Sequence, residues 1–206
     1  MEDILGFWDK LHQKFVQGIL NILLDNKEKD EVRTEKIKYT LTYVVGEMEK
    51  IIALAFVFFL LGMVKEFFIA VISLVSLRIF MGGTHRSTML TCFLQALLTF
   101  AIICGLGAVV NIYPYCIAIY GFLAMLIWIS TPIVSEKRIH YSKAQCMVFK
   151  ARALTVLLFI SILCDCVNMR IGNYILWAIS IQGIEVAGII LLGRRRRYAR
   201  KIKGKN

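Results

Sequence analysis

No charged residue stands between Arg86 and Glu136. A stretch of 49 residues without Asp, Glu, Lys or Arg does not supply the polar outer face that a water-soluble domain needs. In a bilayer the same stretch is well placed. Water is absent from the hydrocarbon, so a helix of roughly 20 apolar residues satisfies its own backbone groups and spans it. Two such runs lie here or just beside it, Met89–Val110 and Tyr115–Val134. Gly172–Gly193 is a third, and Arg152–Val167 is a shorter fourth, interrupted late by Asp165. With 58% hydrophobic residues and a mean hydropathy of +0.68, the chain reads as an all-α integral membrane protein.

Upstream, Ile51–Val64 and Phe67–Phe80 are shorter apolar runs separated by Lys65 and Glu66. The first extends back toward Tyr43 and takes in Glu47, Glu49 and Lys50. A helix over Phe67–Phe80 covers only about 21 Å, enough for a thin span or half of a re-entrant hairpin. Six transmembrane helices are therefore expected, with four spans plus a short hairpin as the alternative. At the N-terminus, Ile4, Trp8, Leu11, Phe15, Ile19 and Leu23 recur at helical spacing, while Glu2, Asp3, Asp9, Lys10 and Lys14 fall mostly elsewhere. That pattern predicts an amphipathic helix lying in the membrane interface; a basic leader region and a small-residue cleavage site are both missing. The mixed-charge segment "DNKEKDEVRTEKIK" reads as a solvated connector or helix extension. The expected organisation is residues 1–42 as amphipathic helix and connector, 43–193 as one transmembrane domain, and 194–206 as a basic tail.

The positive charge is distributed unevenly. In the six-helix arrangement 22 of the 25 Lys and Arg residues fall on one side: eight in the tail, five in Ser135–Arg152, seven before Tyr43, and Arg78 with Arg86. Short basic loops stay cytoplasmic, so both termini, the Ser135–Arg152 loop and the "GGTHR" stretch are expected on the cytoplasmic face, in contact with anionic lipid. The net charge of +11 then follows from topology. Nucleic-acid binding is excluded, since the basic residues are scattered through short loops with no binding module.

Six cysteines are spread without C-x-x-C spacing, and His12, His85 and His140 add no ligand spacing, so neither a metal site nor a cofactor is expected. Cys104, Cys116, Cys164 and Cys166 sit in apolar runs, where cysteine serves as a small apolar filler. Cys92 differs. In "MGGTHRSTMLTCFLQ" it follows His85 by seven residues, where a hydrophobic segment begins. An imidazole can take a thiol proton and leave the nucleophilic thiolate, and Arg78 and Arg86 on the same side favour that anion. Thr84 or Ser87 can cap the helix start, whose dipole acts in the same direction, and Gly82-Gly83 lets the backbone bend. One obstacle is geometric. Seven residues bring the two side chains to one helix face but about 10.5 Å apart along the axis. Either the chain folds back through the glycines, or a substrate or a second subunit of a homodimer closes the gap.

The segment "GGTHRSTMLTC" resembles the glycine–glycine–x–histidine and seven-on cysteine signature of the accessory gene regulator protein B (AgrB) family of membrane endopeptidases. The likeness extends over most of the chain, from an amphipathic N-terminus through paired short segments to further spans around a basic loop. It implies a cysteine peptidase of quorum sensing that removes the C-terminal tail of a pheromone precursor, an AgrD-like peptide, and promotes thiolactone cyclisation. By position, Cys92 would be the nucleophile and His85 its base. Arg78 and Gly83 fall where the family has positions important for activity, and "PIVSEKRI", with Pro132, Lys137 and Arg138, matches the family's proline followed by a basic loop. Arg86 is a further candidate as an oxyanion donor. Glu47, at a depth similar to Cys92, could orient His85 or simply face the headgroups. Glu185 and Asp165 are expected to line the bundle, outside the site. Two other functions fit the residues: a peptide exporter using Glu185 and Asp165 along a pathway, and a structural or signalling subunit without chemistry.

Overall fold

The computed structural model describes residues 13–22, 31–82, 89–131 and 142–203. Among these residues the chain is helical, with no strand. Helix α1 covers 13–22, α2 Glu31–Leu60, α3 Val64–Met81 and α4 Met89–Val109. A 3-10 turn at Tyr113–Tyr115 leads into α5, Cys116–Ser130, followed by α6, Lys143–Cys166, and α7, Met169–Lys203. The chain divides into two compact units, Met1–Leu60 and Leu61–Asn206.

Among the described residues, four stretches are long and apolar enough to cross a membrane: Leu90–Val109, Tyr113–Ser130, Lys143–Cys166 and Met169–Leu192. They correspond to the four strong runs of the sequence. The two weaker runs fall in α2 and α3. The last 18 residues of α2 hold Glu47, Glu49 and Lys50, and the 18 residues of α3 hold Lys65, Glu66 and Arg78. Three ions in so short a helix put both below the four strong spans in apolarity.

In the first unit, α1 buries Val16 and Leu20, one turn apart, and leaves Phe15 and Ile22 exposed. The buried line is thus shifted by one residue from the stripe through Phe15 that the periodicity predicts. Ile4, Trp8, Leu11 and Leu23 lie outside the described residues. Helix α2 runs without a break from the charged connector into the apolar run, and Lys50 pairs with Glu47 one turn earlier.

In the second unit α7 is the central element. It packs against α3, α4, α5 and α6, and 39% of its span is buried, against 17–22% for the other three spans. Leu77 and Met81 of α3, Leu123 and Ile127 of α5, Leu157 and Ile160 of α6, and Leu176 and Ile179 of α7 form the shared core. Two glycines permit the close approach. A Cβ on Gly183 of α7 would lie 2.7 Å from Leu123 Cδ2, and one on Gly107 of α4 would lie 2.3 Å from Tyr174 Cδ1. At the same end of α4, Asn173 donates from Nδ2 to the carbonyls of Gly107 and Val110, both at 2.9 Å, and accepts from Ile112 N at 2.9 Å. The start of α7 is thereby fixed to the end of α4. The opposite end of the unit, where α3 finishes and α4 begins, holds the candidate site.

Candidate functional site

Helix α3 ends because Gly82 leaves the right-handed region. Its φ of +86° is reached cheaply only by glycine, and its N–H closes the last turn on Arg78 O at 2.9 Å. The chain re-enters a helix at Met89, so a short connection joins α3 to α4, and the two helices pack as an antiparallel pair. Phe67 of α3 and Phe100 of α4 fix the register, meeting edge-on with ring centroids 5.1 Å apart. Cys92 is the fourth residue of α4, half-buried and outside any disulfide. A thiol in the first turn of a helix lies at the positive end of its dipole.

Arg78 does not point into the lipid. Its Nη1 donates to Glu185 Oε2 at 3.1 Å and its Nη2 to Glu185 Oε1 at 3.2 Å, a two-pronged ion pair between α3 and α7. The side chains are 27% and 17% exposed. Both charges sit in otherwise apolar stretches, and each neutralises the other where water is scarce. One turn earlier on the same face of α7, Gln182 is fully buried and donates from Nε2 to Gly82 O at 2.9 Å. Helix α7 therefore holds the end of α3 at two points.

Of the residues singled out from the sequence, the structure places Arg78 and Cys92 at this end of the second unit. Gly83, His85, Arg86, Lys137 and Arg138 lie outside the described residues, as do Thr84, Ser87 and Pro132. Glu47 accepts a hydrogen bond from Lys50 within the first unit. Asp165 is exposed, and its Oδ1 accepts from the Tyr113 hydroxyl at 3.5 Å. Glu185 does line the bundle, but as the partner of Arg78. An acid and a base, each isolated in an apolar helix, were a visible signal for such a pairing. Gln182 carries no charge, so only its place in an otherwise apolar run could have marked it.

The Ser135–Arg152 segment is only partly a loop. A capping box at Ser142, with Ser142 Oγ accepting from Gln145 N and Gln145 Oε1 accepting from Ser142 N, starts α6 at Lys143. Lys143, Lys150 and Arg152 are thus helical, and the Lys150 ammonium stands 5.5 Å over the Trp128 ring of α5.

Comparison with known proteins gives the same direction. The model of the family "Accessory gene regulator B" matches residues 13–186, which includes the whole of the candidate site. An AgrB-like protein of Clostridium perfringens (strain 13 / Type A) is 28% identical over 86 residues, 42% of this chain. The match spans 46%, about half, of that relative's length. No solved structure matches. The chain belongs to the accessory gene regulator B family, a membrane family of peptide quorum sensing.

Proposed function

We propose that this protein is a membrane cysteine endopeptidase of quorum sensing, with Cys92 as nucleophile and His85 as general base and acid. The observation that carries the proposal is Cys92 itself: a half-buried thiol in the first turn of α4, seven residues after a histidine that follows two glycines, in a chain of this family. The substrate is a pheromone precursor peptide. His85 accepts the thiol proton, and the Cys92 thiolate attacks the carbonyl carbon at the junction between the precursor and its C-terminal tail. As the carbon–nitrogen bond breaks, His85 returns the proton to the departing amine, and the precursor remains as a thioester on Cys92. A thiol within the precursor then gives its proton to His85 and attacks that thioester, closing the thiolactone and releasing Cys92 as thiolate beside the protonated His85. Exchange of one thioester for another is nearly isoenergetic, so the ring closes without ATP provided water stays out. Backbone N–H groups at the start of α4, or Arg86, would hold the oxyanion. Lys137 and Arg138 meet the precursor's tail.

The orientation belongs to the same proposal. With 22 of 25 basic residues on one side, both termini and residues 81–92 face the cytoplasm of a bacterial cell, against anionic lipid. A peptide exporter is less well supported, because Glu185, one of the two ions such a pathway would use, is taken up by Arg78. The test is incubation of the purified protein in lipid with a candidate precursor, followed by mass spectrometry. Wild type should release the tail and a product lighter by one water than the linear peptide; Cys92→Ser should release neither while inserting normally. Cleavage by Cys92→Ser at near the wild-type rate would end the cysteine-peptidase reading.

A further inference from the structure

The hydroxyl and amide side chains of α4 all fall in its first three turns, at Thr91, Gln95 and Thr99. Below them the helix is apolar to its end. Thr99 donates its hydroxyl to Gln95 O at 2.8 Å, so its one donor goes to its own helix. Thr91 is exposed and lies about 100° round the helix from Cys92. Gln95 is placed differently. It follows Cys92 by three residues, which brings the two to one face of α4 with Cβ atoms about 5–6 Å apart. Both are half-buried. Side chains on a helix lean toward its N-terminus and cover the turn before their own Cα. A side chain as long as glutamine at position 95 therefore covers the turn that carries Cys92. An amide costs free energy in hydrocarbon unless it is hydrogen-bonded, so a glutamine about 9 Å into an apolar span is a costly choice beside leucine.

We propose that Gln95 is a catalytic residue of the proposed peptidase: its Nε2 donates a hydrogen bond to the oxyanion that forms when Cys92 attacks the precursor. The proposal rests on the cysteine-peptidase reading above. In that step a bond forms between Sγ and the carbonyl carbon, and the π pair of the carbonyl moves onto oxygen. The oxygen takes no proton; donors hold it as an anion until the pair returns and the carbon–nitrogen bond breaks. Attack of the precursor thiol on the thioester builds a second anion on the same oxygen, so one donor serves both steps. Little water reaches such an anion at this depth, and a fixed dipole counts for more there than in solution. Glutamine suits the place because it offers two N–H donors and no charge, so it does not pair with the thiolate as a lysine would. It joins the backbone N–H groups at the start of α4 from one turn further along the helix.

The experiment uses the full chain in lipid nanodiscs, with the precursor that wild type cleaves. Two readouts are taken per folded molecule: cleavage, and alkylation of Cys92 by iodoacetamide, read on the Cys92 peptide by mass spectrometry. Alkylation needs the thiolate but forms no oxyanion. Gln95→Met keeps the length of the side chain without a donor, and Gln95→Asn keeps an amide one carbon shorter. Gln95→Met should lower kcat about a hundredfold with KM within about twofold, the usual loss for one oxyanion donor. Its Cys92 should be alkylated within about twofold of the wild-type rate. Gln95→Asn should retain more activity than Gln95→Met, whereas a role in filling space would rank the two the other way. A fall in kcat of less than about tenfold in Gln95→Met would overturn the proposal. So would a loss matched by an equal change in alkylation, or one that only tracks the folded fraction. Cys92→Ser separates the two failures. Normal cleavage by Cys92→Ser ends the peptidase reading and this role with it; an inactive Cys92→Ser beside a fully active Gln95→Met ends the role of Gln95 alone.

Discussion

Arg78 and Glu185 are 107 positions apart, yet both guanidinium nitrogens of one reach both carboxylate oxygens of the other. The fork geometry explains why arginine suits this place, since a lysine would reach a carboxylate with a single ammonium and no fixed plane. Spacing alone singled out Cys92, and the like-signed neighbours Arg78 and Arg86 fitted a thiolate. The pairing of Arg78 was only half legible: two isolated ions of opposite sign hint at a pair, but nothing in a linear sequence says which face of a distant helix an isolated acid will meet. Gln182 was less legible still: a neutral amide carries no charge to suggest its partner. At this scale the chemistry of His85 is testable by itself. An imidazole base contributes roughly a hundredfold to ten-thousandfold at neutral pH. His85→Ala should lose that much of kcat near pH 7 and recover part of it at higher pH, where the thiolate forms unaided. Cleavage measured from pH 6 to 9.5 checks this. A deficit that stays constant across the whole range would remove His85 as the base.

Asn173 and Gly107 show how one helix is seated on another. The amide of Asn173 makes all three of its bonds to the backbone at the end of α4, and Trp177 Nε1 adds a fourth contact to Val110 O at 2.9 Å. The helix start of α7 lies at Met169, earlier than the apolar run suggests, because Asn168 just before it caps the first turn, its Oδ1 accepting from Arg170 N. Its end at Lys203 lies well past the apolar run, since arginine and lysine are good helix formers and favour the negative end of the dipole. Helix α6 likewise begins nine residues before the expected Arg152, and here the signal was present in the sequence: Ser142 with Gln145 three residues later is a capping box. Apolar runs give the part of each helix that lies in hydrocarbon, and caps give its ends. The glycine contact yields a sharp prediction. A Cβ at Gly107 meets the ring of Tyr174, which is 2% exposed and has little room to turn, whereas a Cβ at Gly105 meets nothing within 4 Å. Gly107→Ala should destabilise the second unit by about 1–3 kcal/mol, the usual cost of overpacking. Gly105→Ala should be neutral or slightly favourable, as alanine is the better helix former. Thermal unfolding of the two variants in the same detergent checks the difference; equal midpoints would mean that the α4–α7 contact yields without cost.

At the scale of the molecule the proposed orientation rests on charge: a six-helix arrangement puts 22 of the 25 basic residues on one side. An impermeant thiol reagent applied to intact cells should label Asn111→Cys, in the exposed turn between α4 and α5, and leave His140→Cys unlabelled. The opposite pattern would reverse the molecule and place the proposed site outside. The basic charge after Pro132 also bears on substrate. Lys137 and Arg138 follow Pro132 with Glu136 as the single nearby acid, while Lys150 already stands over Trp128. If the first two hold an acidic precursor tail, the attraction belongs to exposed groups, so it should weaken steeply as the Debye length falls to about 3 Å near 1 M salt. Replacing both by glutamine should raise KM roughly threefold to tenfold, the range for two exposed ion pairs, and lower kcat much less, because the contact is made in the bound complex and in the transition state alike. Anionic lipid competes for the same side chains, so the measurement belongs in neutral phosphatidylcholine vesicles, where a purely lipid-binding role has nothing to act on. There a raised KM that converges with wild type at high salt supports capture of the tail, and a double variant indistinguishable from wild type at every salt concentration rules it out.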